Sequence, residues 1–332
     1  MFRSRVLPFL LCVSTFLLFT SCGNGHDSKE KYYLVASNVG IPYWQGAVAG
    51  FRAAGEKLKV KTIVAGPNSF DPKEQKLALD DAIQSGATGI LVSVSDPKLL
   101  QESIDKAMAA GIPVITIDSD APASRRLYFI GTNNYQAGIS GGKRLAEELK
   151  GKGNVVVFTM PDQPNLAERL RGYRDALQSS PGIKITQVVD IQGDPRVAFD
   201  TMNTLVGMKN QKIDAAVCLE AQAGKEVAAV LNNDHVKGVT VIAFDTDADT
   251  LDWIQKGVIA ATIAQKPYTM AYTGLISLDS LFHNKLDPLD ADWSKRGFSP
   301  VPTFVDTGSG IIDKSNLEGF MQAQKNATPG TK

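Results

Sequence analysis

The sequence has no surplus of either charge. Its 332 residues carry 35 Lys and Arg against 35 Asp and Glu, so no basic face is on offer for nucleic acid. Cysteine is scarce, with three in all. Cys12 lies in the leading apolar run, and Cys22 follows it. That leaves Cys218 alone, too few for an intramolecular disulfide. Cys218 sits in the run Ala215-Ala216-Val217-Cys218-Leu219 and reads as a small buried hydrophobe, not a reactive thiol. The three histidines, His26, His235 and His283, stand far apart without the short spacing of a metal motif, so they read as surface residues. Beyond the first 20 residues no uninterrupted apolar run is long enough to cross a bilayer. Two look-alikes also fail. Asp245–Asp249 begins like a calcium loop, but Thr250 replaces the required Gly and Lys256 the required Glu. Gly142-Lys143 ends like a phosphate loop, but Ala137 replaces its first Gly and Arg144 its Ser or Thr. Neither a metal nor any other cofactor is expected.

The N-terminus is distinctive. Arg3 and Arg5 precede the almost wholly apolar run Val6–Thr20, then Ser21 and Cys22. A basic start, a short apolar core and a small residue make an export signal. Leu18-Phe19-Thr20-Ser21-Cys22 resembles a bacterial lipobox, with Phe19 where that motif prefers Leu. The resemblance implies removal of residues 1–21 and acylation of Cys22. Two acyl chains would hold a soluble body on a membrane, and residues 22–30 would form a flexible tether.

Short apolar runs then alternate with amphipathic stretches. The first series has strands at Tyr32–Ser37, Thr62–Ala65, Gly89–Val94 and Ile112–Asp118, with helices at Tyr43–Lys57, Pro72–Ser85 and Pro97–Ala110 between them. The second has strands at Asn154–Thr159, Ile185–Asp190, Ala215–Leu219 and Val239–Asp245, with helices at Asn165–Ser179, Pro195–Met208 and Gly224–Asn233. This order predicts an α/β protein of two similar lobes, each a doubly wound parallel sheet covered on both faces. Gly138, Gly141 and Gly142 fit close packing where a helix opens the second lobe. A helix over Lys266–His283 and an extended segment over Thr303–Ile312 follow. They imply three crossings between the lobes, near Thr132–Asn134, Gln265–Lys266 and Asp306–Gly308. The expected first lobe is 31–132 with 266–305, the second 133–265 with 306–325, and 326–332 is a flexible tail.

Ligands of open parallel sheets sit beyond the carboxyl ends of the strands. Asp118 and Asp245 end matching strands, so facing lobes would aim both carboxylates into one cleft. Tyr43 and Trp44 follow the first strand and offer flat walls for the C–H face of a polyhydroxylated ligand. Arg169 and Gln265 can donate to its hydroxyls. Glu220 and Gln222 are added by position alone. Each residue also has a plainer reading: Tyr43 and Trp44 as core, Asp118 as a helix cap, Arg169 and Arg171 as a solvated face.

Several motifs occur in order: Ser37-Asn38 with Pro42-Tyr43-Trp44, Gly111 to Asp118, Arg169 with Arg171-Gly172-Tyr173, Phe244-Asp245, and Ala261 to Gln265. By these the chain, over residues 31–325, resembles the ribose-binding-like periplasmic sugar-binding proteins of ABC transporters. The resemblance implies a type I periplasmic binding protein fold with three hinge crossings. It implies a monomer that captures a monosaccharide or related polyol and delivers it to an ABC permease. It also implies stacking by Tyr43 and Trp44 and hydrogen bonds from Asp118, Arg169, Asp245 and Gln265. Ile41 stands where the ribose-type pattern has Asn, and Ser119 where it has Arg. These differences bear on which sugar is bound, not on the fold.

Two other functions use similar parts. Two cleft carboxylates are the minimum for a glycoside-acting enzyme, but here each belongs to a different lobe beside Arg and Gln, which favours two ionised acceptors. A sugar sensor docking to a membrane receptor would add to sugar capture. Repressors of this fold carry an N-terminal helix-turn-helix; this chain carries an export signal. The reading is therefore a non-enzyme outside the cytoplasm, in the periplasm or on the outer face of the cell membrane. Cys22→Ala is expected to release the protein from membranes or block its processing; an unmodified mature N-terminus at another residue, found by mass spectrometry, would contradict the anchor.

Overall fold

A computed structural model describes residues 26–27, 29–208, 212–289, 291–293 and 298–327. The expected signal segment, Cys22 and most of the expected tether and tail lie outside the described residues. The elements run β1 (Lys31–Val35), α1 (Pro42–Leu58), β2 (Lys61–Ala65), α2 (Pro72–Gln84), β3 (Gly89–Val92), α3 (Pro97–Ala109), β4 (Val114–Ile117), β5 (Phe129–Gly131) and α4 (Asn134–Glu148). Then come β6 (Lys152–Thr159), α5 (Pro164–Leu177), β7 (Gly182–Asp190), α6 (Pro195–Gly207), β8 (Ala215–Cys218), α7 (Ala223–Asn233), β9 (Thr240–Phe244), α8 (Ala248–Lys256) and β10 (Ala261–Ala264). Last are α9 (Pro267–His283), β11 (Phe304–Asp306), β12 (Gly310–Asp313) and α10 (Leu317–Ala327). No helix among the described residues is long and apolar enough to cross a membrane.

Helix starts follow a repeated local rule. Pro opens α1, α2, α3, α5, α6 and α9, where its fixed φ suits the first turn and its missing N–H costs nothing. Asp71, Asp96 and Asp194 precede three of these prolines and accept from the exposed N–H groups of the first turn. Those three strand-to-helix turns are therefore each specified by two residues.

The strands form two six-stranded sheets, ordered β11-β5-β4-β3-β1-β2 and β12-β10-β9-β8-β6-β7. The orders match position by position. All pairings are parallel except β10 with β12, which is antiparallel. β3, β4, β8 and β10 are buried along their whole length, as strands covered on both faces must be. Sheet membership takes the chain between the lobes three times, after β5, after β10 and after β11. The extended segment expected over Thr303–Ile312 is in fact two strands, one for each sheet. Thr307 and Gly308 part them at a crossing, where Gly308 has φ +76.

Strand β5 and helix α8 were not separately legible, whereas α4 is the helix expected to open the second lobe. β5 has only three residues, too short for a periodic signal. In α4 the glycines replace apolar residues on the packing face. A Cβ at Gly138 would strike the Arg169 carbonyl, and one at Gly141 the Tyr173 hydroxyl. The α4–α5 interface is therefore backbone against backbone, which brings Asn134 within reach of Arg169.

The histidine reading needs correction. His26 and His283, remote in sequence, meet with ring centroids 5.1 Å apart. The first lobe folds the segment before β1 against the end of α9, a contact that linear spacing cannot reveal.

Candidate functional site

Asp118 follows β4 and Asp245 follows β9, equivalent strands of the two sheets. Both take the left-handed conformation, at φ 62 and φ 70, a region Asp tolerates better than most residues. Each donates its backbone N–H to the strand beside it, Asp118 to Ile130 at 3.1 Å and Asp245 to Ile263 at 2.9 Å. The left-handed step lets the backbone finish its ladder and then turn, leaving both carboxylates buried at the ends of the sheets. The capping alternative for Asp118 fails: the next helix, α4, is capped by Asn133, which accepts from the N–H of Gln136, as α8 after Asp245 is capped by Asp247, which accepts from the N–H groups of Asp249 and Thr250.

One cavity of about 70 Å³ lies between these strand ends. Tyr43, Trp44, Asp118, Arg169, Glu220, Asp245 and Gln265 all line it. Tyr43 donates to Asp118 at 2.6 Å, and Ser93 donates to the other oxygen at 3.0 Å. Trp44 is 2% exposed; it belongs to the first lobe's core and meets Tyr43 edge-on at 5.4 Å. Stacking on a ligand thus competes with core packing for Trp44, and Tyr43 is the more open of the pair.

Arg169 is 2% exposed and among the largest fully buried side chains. Its guanidinium donates to Asn134 Oδ1 at 2.9 Å, to the Leu219 carbonyl at 2.7 Å and to Gln265 Oε1 at 2.7 Å. It also stacks 4.3 Å from the Phe244 ring centroid. Gln265 passes the chain on, donating Nε2 to Asp245 at 2.9 Å. Of the guanidinium's five N–H groups, three are taken by these bonds. Arg171, by contrast, is a surface residue paired with Glu168. Glu220 lines the cavity but already accepts from the backbone N–H groups of Gln222 and Ala223, fixing the start of α7.

Further lining residues were missed by the sequence reading: Phe70, Met160, Gln163 and Asn165. Met160 directly follows β6, Gln163 precedes the proline that opens α5, and Phe70 lies between β2 and α2. The rule that ligands gather beyond strand ends would have found them had it been applied to every strand. Gln75 was missed too. It is fully buried and bonds Ser93 and Ser95, steadying the serine that supports Asp118.

The cavity holds three buried carboxylates against one guanidinium. Burial raises Asp118 and Glu220 above the ordinary carboxylate range. Burial raises Asp245 most, to about 7, opposed by Arg169 and Gln265 and reinforced by the charges of Asp118 and Glu220. Tyr43 is pushed up by the same burial and by Asp118. The site is thus rich in acceptors and poor in donors.

Comparisons with known proteins agree with this geometry. The family model described as periplasmic binding protein domain matches residues 32–285. A solved sugar-binding protein of a sugar ABC transporter from Bacillus halodurans is 34% identical, over 88% of this chain and 99% of that one, with a TM-score of 0.76. An arabinose-binding protein from Geobacillus stearothermophilus is also 34% identical, with the same coverage and a TM-score of 0.73. A curated D-apiose import binding protein from Paraburkholderia graminis is 26% identical, over 79% of this chain and 84% of that one.

The raised Asp245 sets a pH dependence with a definite sign. Between the unfolded value of about 4 and the folded value of about 7, the native state holds a proton that the unfolded chain has lost. Its contribution to stability is full below about pH 4 and is lost as pH rises through about 7. Urea unfolding should therefore show the ligand-free protein losing stability from about pH 4 to about pH 7, and Asp245→Asn should flatten that slope. Equal slopes for both proteins would contradict the assignment.

Proposed function

The chain belongs to the periplasmic binding protein domain family, and from that premise we propose that it captures one monosaccharide between its lobes, by hinge closure, for delivery to an ABC permease. The observation that carries the reading is the acceptor-rich cavity. A neutral polyol brings hydroxyl donors for the carboxylate lone pairs that Tyr43, Ser93, Gln265 and the backbone leave open, without adding charge. It also brings acceptors for Arg169, which lines the cavity. The names of two relatives, binding proteins for arabinose and for apiose, point to a five-carbon sugar. No hydrolytic step is part of the proposal. Asp118 is held by Tyr43 and Ser93, and Asp245 by Gln265; burial that raises Asp245 to about 7 departs from the two ionised acceptors expected from the sequence.

Two features support closure. Phe70, beyond β2 of the first lobe, packs on Gly193, beyond β7 of the second; a Cβ on Gly193 would lie 2.5 Å from that of Phe70. Asp306 ties two of the crossings together, accepting from the N–H of Asn133 at 3.1 Å and of Gly308 at 2.8 Å. The lobes can then rotate about a small linked set of residues. A sugar that touches both lobes has its full set of partners only when they are closed, and that difference in affinity drives the shift. In this reading the export signal and Cys22 place the protein outside the cytoplasm on a lipid anchor, where an import permease collects its cargo.

A thermal-shift panel of pentoses, hexoses, deoxy sugars and inositols tests the function, since a ligand of the native state raises the midpoint. Calorimetry with the best sugar should show Asp118→Ala losing about 1–3 kcal/mol of binding, from a ligand donor left unmet. Gly193→Ala, at φ +76 and against Phe70, should weaken binding about tenfold through an obstructed closed state. No midpoint shift with any sugar would refute the capture reading, and unchanged affinity in Gly193→Ala would refute the closure contact.

A further inference from the structure

A second cluster of chemistry-bearing residues lies away from the cavity. His26, Glu30, Asp279 and His283 come together where the chain enters the first lobe, and each offers one ligand atom within 4.8 Å of the others. His26 and Glu30 precede β1, whereas the cavity lies beyond its other end. Asp279 and His283 occupy the last turn of α9, one helical turn apart on the same face. Four side chains from opposite ends of the lobe's sequence thus converge on one point.

We propose that this cluster is a zinc site that fastens the segment before β1 to the end of α9. The atoms are His26 Nδ1, His283 Nε2, Glu30 Oε2 and Asp279 Oδ1. Their nitrogen–oxygen separations are 3.0, 3.3, 3.3 and 3.6 Å. A tetrahedral ion with bonds of about 2.0–2.1 Å has ligand atoms roughly 3.3 Å apart; these four spacings bracket that value, and the nitrogen–nitrogen and oxygen–oxygen pairs lie within 4.8 Å. Two imidazoles and two carboxylates suit zinc, while magnesium and calcium prefer all-oxygen sets. The carboxylates also balance the charge of a divalent cation.

The surroundings are those of a built site. Glu30 is 6% exposed, and its second oxygen accepts from the Asp27 backbone N–H at 2.9 Å. Tyr32 donates its hydroxyl to Asp279 at 3.1 Å. Such outer hydrogen bonds orient metal ligands. The histidines keep side-chain exposures of 21% and 29%, which leaves an ion a way in. The consequence is mechanical: the segment leading from Cys22 would be clamped to the lobe body, so that a membrane anchor holds the protein at a fixed point.

The test uses the full chain without a polyhistidine tag, stripped with chelator and titrated calorimetrically with zinc at neutral pH. One zinc per chain is expected. His26→Ala and His283→Ala should each weaken binding by at least the roughly 10- to 100-fold typical of outer-layer changes. Tyr32→Phe should fall within that range, and His235→Ala should change nothing. Zinc should also slow hydrogen exchange at amides 27–31 of the wild type and leave that of His283→Ala unaltered. No stoichiometric binding, or binding that survives loss of both His26 and His283, overturns the site.

Discussion

The structure depends on one buried cation. Arg169 has no solvent to stabilise its charge, and an uncompensated guanidinium would cost several kcal/mol. Its partners come from three elements: Asn134 at the start of α4, the Leu219 carbonyl beyond β8, and Gln265 beyond β10. None of these carries a negative charge. The compensating charge lies one layer out, on Asp118, Asp245 and Glu220, whose pKa values all respond to Arg169. The guanidinium therefore organises the second lobe's half of the cavity directly and the first lobe's half through the field. The glycine-lined α4–α5 contact is needed because only a close backbone approach brings Asn134 to it.

Much of this was legible in the sequence because the fold's rules are local. Alternating apolar runs give strands, Asp-Pro pairs give helix starts, and two such series in the same order give two like lobes. Asp118 and Asp245 could be paired because each ends the same kind of run at the same place in its series. Arg169 was harder. Its neighbourhood, Leu166 to Gly172, mixes apolar and charged residues, and Arg171, two residues on, is a true surface residue, so local pattern alone could not separate the buried arginine from the exposed one. Family resemblance supplied what periodicity did not.

What stayed hidden was whatever depends on contacts between distant segments. Ser93 and Gln75 support Asp118 from other elements, and Phe70 meets Gly193 across the lobes. His26 and His283 looked isolated because a metal motif is sought in short spacing, whereas here two half-motifs, each a pair four residues apart, are joined by the closure of the lobe. Glu220 shows the opposite case: its position marked it, yet its carboxylate also serves the turn that starts α7.

The two left-handed aspartates express the same design twice, one acceptor on each lobe, aimed at a shared space. A polyol is the cargo that satisfies both at once, so sugar occupancy and lobe closure should be one event. X-ray scattering in solution, with and without saturating sugar, measures this directly. The account predicts a smaller radius of gyration with sugar bound. Tight binding with unchanged dimensions would contradict it.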